Sequence, residues 1–147
     1  MKWLITNFVL YFSCVSFSQT IIKGKVLGDD LLPFPQVLIV ADNNFNTLSD
    51  ANGNFKIVVD NETKNLEFSF IGLEKTKIYL EKGCENIDII IPQSTTYCFD
   101  SEKKAKRLSA KRFKKLRKTY DEAYSINLIS NKRPCGIVEF VNWKINL

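Results

Sequence analysis

A tight turn between two strand-like segments constrains the fold of this chain more than any other feature of its sequence. The turn occupies residues 50–55 and is built by Asp50, Asn52, Gly53, Asn54 and Phe55. Asp and Asn side chains bond the backbone of their own turn, and glycine adopts a positive φ angle without a Cβ clash. Together with the flanking segments 45–49 and 54–59, the turn predicts a β-hairpin.

Short strands of the same kind recur along the first two thirds of the chain. Alternating or continuous apolar residues predict strands at 22–26, 37–41, 45–49, 54–59, 66–70, 75–80 and 87–91. Turn-forming residues separate them about every 8–12 residues, which is typical of an antiparallel β-sandwich. We therefore predict an all-β fold, with a sandwich of about seven strands in a domain that spans residues 19–94.

Residues 1–18 have the pattern of a signal peptide. Lys2 supplies a positive start, residues 3–15 are mostly apolar, and small serine side chains precede a cleavage site after residue 18. The apolar run is shorter than the ~20 residues of a membrane-spanning helix, and no later stretch is apolar enough to span a bilayer. We expect export and no transmembrane segment in the mature chain. An N-terminal anchor, a buried first strand and lipidation at Cys14 remain as alternatives.

Export places the cysteines in an oxidising compartment, where disulfides persist. Cleavage after residue 18 leaves Cys84, Cys98 and Cys135. If residues 87–92 form a strand, its rise of ~3.3 Å per residue separates the two flanking loops by nearly 20 Å. A disulfide needs Cα atoms within about 7 Å, so Cys135 is expected to pair with Cys84 or with Cys98. Three unpaired thiols are the alternative.

Charge is divided unevenly between the predicted sandwich and the rest of the chain. Residues 19–99 hold 7 Lys/Arg and 11 Asp/Glu, whereas residues 100–147 hold 13 and 5. The basic segment 95–147 contains one stretch, 102–124, without Gly or Pro and rich in helix formers. We predict one C-terminal α-helix there, followed by a short irregular or β tail with candidate strands at 126–129 and 136–143.

The predicted helix is strongly cationic on one side and apolar on another. Its cations are Lys103, Lys104, Lys106, Arg107, Lys111, Arg112, Lys114, Lys115, Arg117 and Lys118. One interpretation is peripheral attachment to an anionic envelope surface or a protein partner. Nucleic acid is not expected as the partner, because export makes it less accessible. The alternative is a solvated helix that packs on the acidic sandwich through Leu108, Phe113, Leu116 and Tyr120.

Four motifs in order resemble the carboxypeptidase-regulatory-like domain, a transthyretin-like β-sandwich of secreted and outer-membrane bacterial proteins. The similarity covers about residues 21–92. Phe70 and Leu73 stand where that family usually has tyrosines. The motifs are Ile-Lys-Gly-Lys-Val at 22–26, the proline connector and apolar strand at 32–40, the turn at 50–55, and Phe-Ser-Phe-Ile-Gly-Leu at 68–73.

The resemblance implies an accessory module and not a catalyst. Such domains often precede outer-membrane TonB-dependent receptors or accompany secreted hydrolases. It therefore implies a binding or scaffolding role in the periplasm or at the outer-membrane surface of a Gram-negative-type bacterium. An accessory subunit of an outer-membrane transport or secretion system is the alternative, and an accessory domain of a hydrolase is the third reading. The 55 residues after Pro92 are too few to supply a receptor barrel or an enzyme.

The residue types present exclude several kinds of catalytic site. The sequence contains no histidine, so Ser-His-Asp and Cys-His arrangements and histidine-based zinc sites are absent. The turn at 50–55 differs from a calcium loop, because Gly53 is its fourth residue instead of its sixth and Asn61 occupies the twelfth, where a bidentate Glu is needed. We expect no enzymatic activity, no metal and no cofactor.

Overall fold

The computed structural model describes residues 19–42, 45–94, 102–140 and 143–144. These residues form nine strands and one helix. The strands are β1 (Gln19–Gly28), β2 (Leu38–Ala41), β3 (Asn46–Leu48), β4 (Asn54–Asp60), β5 (Asn65–Ser69), β6 (Thr76–Tyr79), β7 (Asn86–Ile91), β8 (Ile137–Phe140) and β9 (Trp143–Lys144). The helix, α1 (Glu102–Ser125), lies between β7 and β8 in the sequence.

The strands form two sheets that pack as a sandwich, which confirms the all-β prediction. The smaller sheet has the order β4-β1-β7, and the larger has the order β3-β2-β5-β6-β8-β9. The β1–β7 pair is parallel, whereas the other pairs are antiparallel. The wholly antiparallel prediction is therefore wrong for this pair. Side chains alternate across a strand in the same way for either partner direction, so the apolar pattern did not reveal it.

The predicted hairpin at 45–59 is also wrong, although its turn is present. β3 pairs with β2 in the larger sheet, and β4 pairs with β1 in the smaller sheet. The turn between them therefore carries the chain from one sheet to the other. Turn residues report the local bend of the backbone but not which strand each arm will pair with, so the sequence pattern fitted both outcomes.

Apolar side chains from the facing sheets meet in one core. The rings of Phe55 on β4 and Phe68 on β5 contact edge to face with centroids 5.6 Å apart. A Cβ at Gly24 on β1 would lie 1.8 Å from the backbone oxygen of Ile87 and 2.9 Å from the Phe55 ring. Glycine is therefore required there, because β1 and β7 approach too closely for any side chain.

The helix packs against the sandwich beside β7, the edge strand of the smaller sheet. Phe113, Leu116, Tyr120 and Ala123 of α1 are buried in the common core. The Phe113 ring lies 4.8 Å from that of Phe140 on β8, which belongs to the larger sheet. Tyr120 accepts a hydrogen bond from the Ile90 amide of β7 at 2.8 Å. The helix thus covers an edge that would otherwise expose unpaired backbone groups.

The segment after α1 is joined to the sandwich by strand pairing and by a disulfide. β8 pairs with β6 along the larger sheet, and β9 pairs with β8. The disulfide links Cys84 to Cys135 with Cα atoms 5.8 Å apart, which is one of the two pairings left open by the sequence. Cys98 lies outside the described residues. Residues 126–129 form turns and bends, so a strand there was wrongly predicted, whereas β8 falls within the predicted 136–143.

Candidate functional site

The turn at 50–55 is a structural feature held by its own side chains. One Asp50 carboxylate oxygen accepts hydrogen bonds from the backbone amides of Asn52 and Asn54, each at 2.8 Å. These hydrogen bonds lower the pKa of Asp50. The backbone amide of Asn54 has the largest effect, and the Asn52 amide and the Asn54 side chain add to it. Gly53 has a φ of 75°. The turn orders the backbone and offers no cluster of ligands for an ion.

The four motifs of the sequence resemblance contact one another. Val26 donates its amide to the Gly53 oxygen at 2.8 Å and accepts the Phe34 amide at 3.0 Å. The Phe34 ring packs edge to face on Phe70, with centroids 5.4 Å apart. A Cβ at Gly53 would lie 2.4 Å from the Val26 oxygen. The motifs therefore form one packed unit at one end of the sandwich, and none contributes a reactive side chain.

The cations of α1 lie on the side opposite its packed side chains. We call this set the cationic face. Its exposed, described members are Lys103, Lys104, Arg107, Lys111, Lys114, Lys115, Arg117 and Lys118. Successive residues of an α-helix are about 100° apart, which places these residues around the direction opposite Phe113, Leu116 and Tyr120. The predicted apolar stripe and the predicted cationic surface therefore coexist on one helix.

Two of the residues singled out from the sequence do not belong to the cationic face. Arg112 is half-buried and turns towards the sandwich, where it donates to the backbone oxygen of Gln93 and lies 3.5 Å from an Asp29 carboxylate oxygen. Arg112 therefore anchors the helix. The side chain of Lys106 lies outside the described ones.

An open groove lies at the border of the cationic face, between its lysines and Arg112. It has a volume of about 530 Å³ and is lined by Leu108, Lys111, Arg112, Lys114, Lys115 and Lys118. Leu108, expected in the packed stripe, is instead 38% exposed within it. The groove thus combines apolar stems with ammonium groups at their ends, an arrangement that suits an anionic group attached to apolar material.

The charge pattern of α1 destabilises the helix by itself. Cations repeat four residues apart at 103–107, 107–111, 111–115 and 114–118. Each such like-charge pair costs about 0.2–0.5 kcal/mol, and opposite-charge pairs at 102–106, 117–121 and 118–122 offset three of the four. Three residues apart there are six further like-charge pairs and one opposite-charge pair, at 118–121, so the net cost of the ten like and four opposite pairs is about 1–3 kcal/mol. The helix dipole favours anions at the N-terminus and cations at the C-terminus. Glu102 at the first position of α1 fits this preference, whereas Lys103 and Lys104 in the same turn, and a last turn without a basic residue, do not.

Lysines also cluster on the outer face of the smaller sheet. Lys23 on β1 lies directly opposite Lys56 on β4, and Lys25 lies two residues further along β1. A shallow depression of about 330 Å³ beside them is lined also by Asn54 and Asp88. Asp88 is buried and accepts the Ser130 amide at 2.6 Å, which joins the segment after α1 to β7. This cluster contains three lysines, whereas the cationic face contains eight exposed cations.

Sequence reasoning missed an exposed apolar feature at the end of the sandwich. We call it the apolar tip, formed by Leu32, Phe34, Phe70 and Ile71. Ile71 is 94% exposed and Leu32 is 61% exposed, while Phe34 and Phe70 support each other beside them. The motif at 68–73 contains two of these residues, but a motif that identifies a fold does not report exposure.

The described residues offer no metal centre and no membrane-spanning helix. Groups of three or more metal-binding side chains do not occur in the ranges given above. Within the same ranges, no helix combines the length and apolar character needed to cross a membrane. The chain matches no family model and no curated protein.

Proposed function

We propose that this protein is an exported, non-enzymatic binding module whose cationic face attaches it to an anionic surface of the cell envelope. The observation that carries the proposal is the placement of eight exposed cations on the side of α1 that faces away from the sandwich. An electrostatic patch of this size attracts anionic surfaces, with about 1 kcal/mol for each Lys or Arg near an anionic membrane.

The energetic cost of the cationic face supports a role in binding. Like charges in adjacent turns repel one another, so they do not stabilise the isolated protein. Local arrangements that reduce stability are typical of functional sites. An anionic surface would neutralise these charges and remove the cost, so binding and helix stability are coupled.

Resemblance to carboxypeptidase-regulatory-like domains is part of the same proposal. It is supported by the mutual contacts of the four motifs, in which Val26 bonds to Gly53 and to Phe34. Those domains are accessory modules, so a binding role is consistent with the resemblance. In this reading the sandwich is the scaffold and α1 is the binding element.

Vesicle sedimentation tests the proposed function. The protein for this experiment begins at Gln19, because the described residues lie between 19 and 144. We expect sedimentation with phosphatidylcholine/phosphatidylglycerol vesicles, little with phosphatidylcholine alone, and a steep loss as salt rises. The salt effect follows because the Debye length falls from about 10 Å at 0.1 M to about 3 Å at 1 M.

A matched pair of variants distinguishes binding by the cationic face from binding through the overall positive charge of the protein. The variant Lys114→Gln/Lys118→Gln removes two charges from the cationic face, whereas Lys64→Gln/Lys82→Gln removes two exposed charges from the sandwich. At about 1 kcal/mol per lysine, the first should weaken binding roughly 30-fold and the second by less than about threefold. Equal effects of the two variants, or no binding by the parent, would contradict the proposal.

A further inference from the structure

The apolar tip and α1 are joined at the same end of the molecule. Ser94 donates its amide to the Gly72 oxygen at 2.7 Å, which ties the turn that bears Ile71 to the segment after β7. The neighbouring Gln93 oxygen accepts a hydrogen bond from Arg112 of α1. Arg112 also approaches Asp29, in the loop that leads to Leu32. Both the tip and the middle of α1 are therefore fixed to the same short segment.

The N-terminal part of α1 extends past this junction. Along α1, Tyr120 contacts β7 at Ile90, whereas Arg112 contacts Gln93, so the helix runs antiparallel to this segment. The ten residues before Arg112 add about 15 Å of helix at 1.5 Å per residue. Their described side chains are exposed: Lys103, Lys104, Arg107, Leu108, Ala110 and Lys111. Cations therefore project from the same end of the sandwich that carries the apolar tip.

We propose that the apolar tip inserts into the interfacial layer of an anionic phospholipid bilayer, while the N-terminal half of the cationic face contacts the headgroups. The inference rests on the proposed function and deepens it, because it selects a lipid bilayer over a polysaccharide or another polyanion. Charge alone suits any polyanion. The side chain of Ile71 is 94% exposed at the top of a turn, and its contact with a surface is favourable only where that surface is apolar.

The turn that carries Ile71 is built to project its side chain. Gly72 follows it with a φ of 88°, and no described atom outside residues 71–73 lies within 4 Å of where a Cβ of Gly72 would be. The turn is thus sharp and unobstructed, and no part of the described chain covers it. Single exposed apolar residues are ordinary on protein surfaces, but an apolar cluster next to cations is the composition of interfacial membrane-binding surfaces.

Quenching of an added tryptophan by brominated lipid tests the insertion. Ile71→Trp places the reporter in the tip, and Ile137→Trp is the matched control. Ile137 is also exposed, at 56%, but it lies at the opposite end of the larger sheet from Ile71. It pairs with Tyr79, and Tyr79 pairs with Asn65 at the start of β5, whereas Ile71 follows the end of β5. The parent from Gln19 contains one tryptophan, Trp143, and provides the baseline.

On phosphatidylcholine/phosphatidylglycerol vesicles with dibrominated acyl chains, we expect extra quenching for Ile71→Trp and none for Ile137→Trp. In parallel, Leu32→Ser/Ile71→Ser should lower the vesicle partition coefficient about tenfold or more, because two large apolar side chains lose their burial. Ile137→Ser should leave it unchanged. Leu32, Ile71 and Ile137 are all exposed, so the serine substitutions should not disturb the core. Circular dichroism verifies that each variant is folded.

The outcomes distinguish the two proposals. Salt-sensitive sedimentation without quenching at position 71, and without an effect of the double serine variant, would overturn the insertion while leaving electrostatic attachment in place. Equal quenching at positions 71 and 137 would also overturn it, because the sandwich would then have no defined orientation. Absence of sedimentation with anionic vesicles would overturn both proposals.

Discussion

Tyr120 performs two tasks on α1, and only one of them is visible in the sequence. Its ring belongs to the apolar stripe and is buried, as the helical spacing indicated. Its hydroxyl oxygen accepts the Ile90 amide at the edge of β7. Spacing predicts which side chains face inward, but it does not identify a polar atom on another element that needs a partner. For this reason the ring was predictable and the hydrogen bond was not.

Tyr120→Phe should lower the free energy of unfolding by about 1–3 kcal/mol, because the buried Ile90 amide loses its acceptor. Urea denaturation measures the change. The control is Tyr124→Phe, whose side chain is exposed on the same helix and which should have no measurable effect. Equal stability of Tyr120→Phe and the parent would show that another group, such as water, satisfies the amide.

The same residue makes stability depend on alkaline pH. Burial away from water, the largest cause, raises the pKa of Tyr120 well above its ordinary value. Above about pH 10 the unfolded chain loses the phenol proton while the folded chain keeps it. The free energy of unfolding should therefore fall as pH rises beyond this point, and it should fall less steeply in Tyr120→Phe than in the parent.

At the scale of elements, α1 and the disulfide hold the C-terminal third of the described chain on the sandwich. The helix contacts both sheets through Phe113 and Tyr120, and Cys135 connects the segment after it to the loop before β7. Most strands were predictable because alternation and turn residues are local signals. The parallel β1–β7 pair and the passage of the chain between sheets at 50–53 depend on distant partners, which local patterns do not encode.

Replacing both bridge cysteines by serine should cost about 2–4 kcal/mol of unfolding free energy. The bridge closes a loop with a sequence separation of 51, for which the loss of unfolded-state entropy alone predicts about 4 kcal/mol. Thermal or urea unfolding with and without a reductant measures this. The reductant should destabilise the parent and leave the Cys84→Ser/Cys135→Ser variant unchanged. If the reductant leaves the unfolding free energy of the parent unchanged, the disulfide does not provide the stabilisation expected here.

At the scale of the whole molecule, opposite charges are separated between the sandwich and α1. The charge division was readable from the sequence, and so was the amphipathic helix. The sequence left open whether the helix packs on the sandwich or serves as a binding surface, and the structure shows that packing uses one face while the cationic face remains exposed. The apolar tip was not predictable, because Leu32 and Ile71 have the same residue types as core positions.

Lys114→Gln/Lys118→Gln should stabilise the unbound protein while weakening its attachment to vesicles. The change removes the repulsive pairs 111–114, 114–117, 114–118 and 115–118, each worth about 0.2–0.5 kcal/mol. It also removes the attractive pairs 118–121 and 118–122, so we expect a net gain of about 0.5–1 kcal/mol at low salt, measured by urea denaturation, and a smaller gain at high salt. Lys64→Gln/Lys82→Gln provides the comparison. A less stable Lys114→Gln/Lys118→Gln protein would show that these lysines serve the fold.

The position of the disulfide has a consequence for what a protease cut in α1 would do. The cationic face is a row of exposed Lys and Arg side chains, the cleavage sites of trypsin-like proteases, and the whole of α1 lies between Cys84 and Cys135. A single cut in α1 therefore leaves two fragments joined by the bridge, and β8 remains paired with β6. A protease can therefore cut the exposed face of α1 without releasing either fragment.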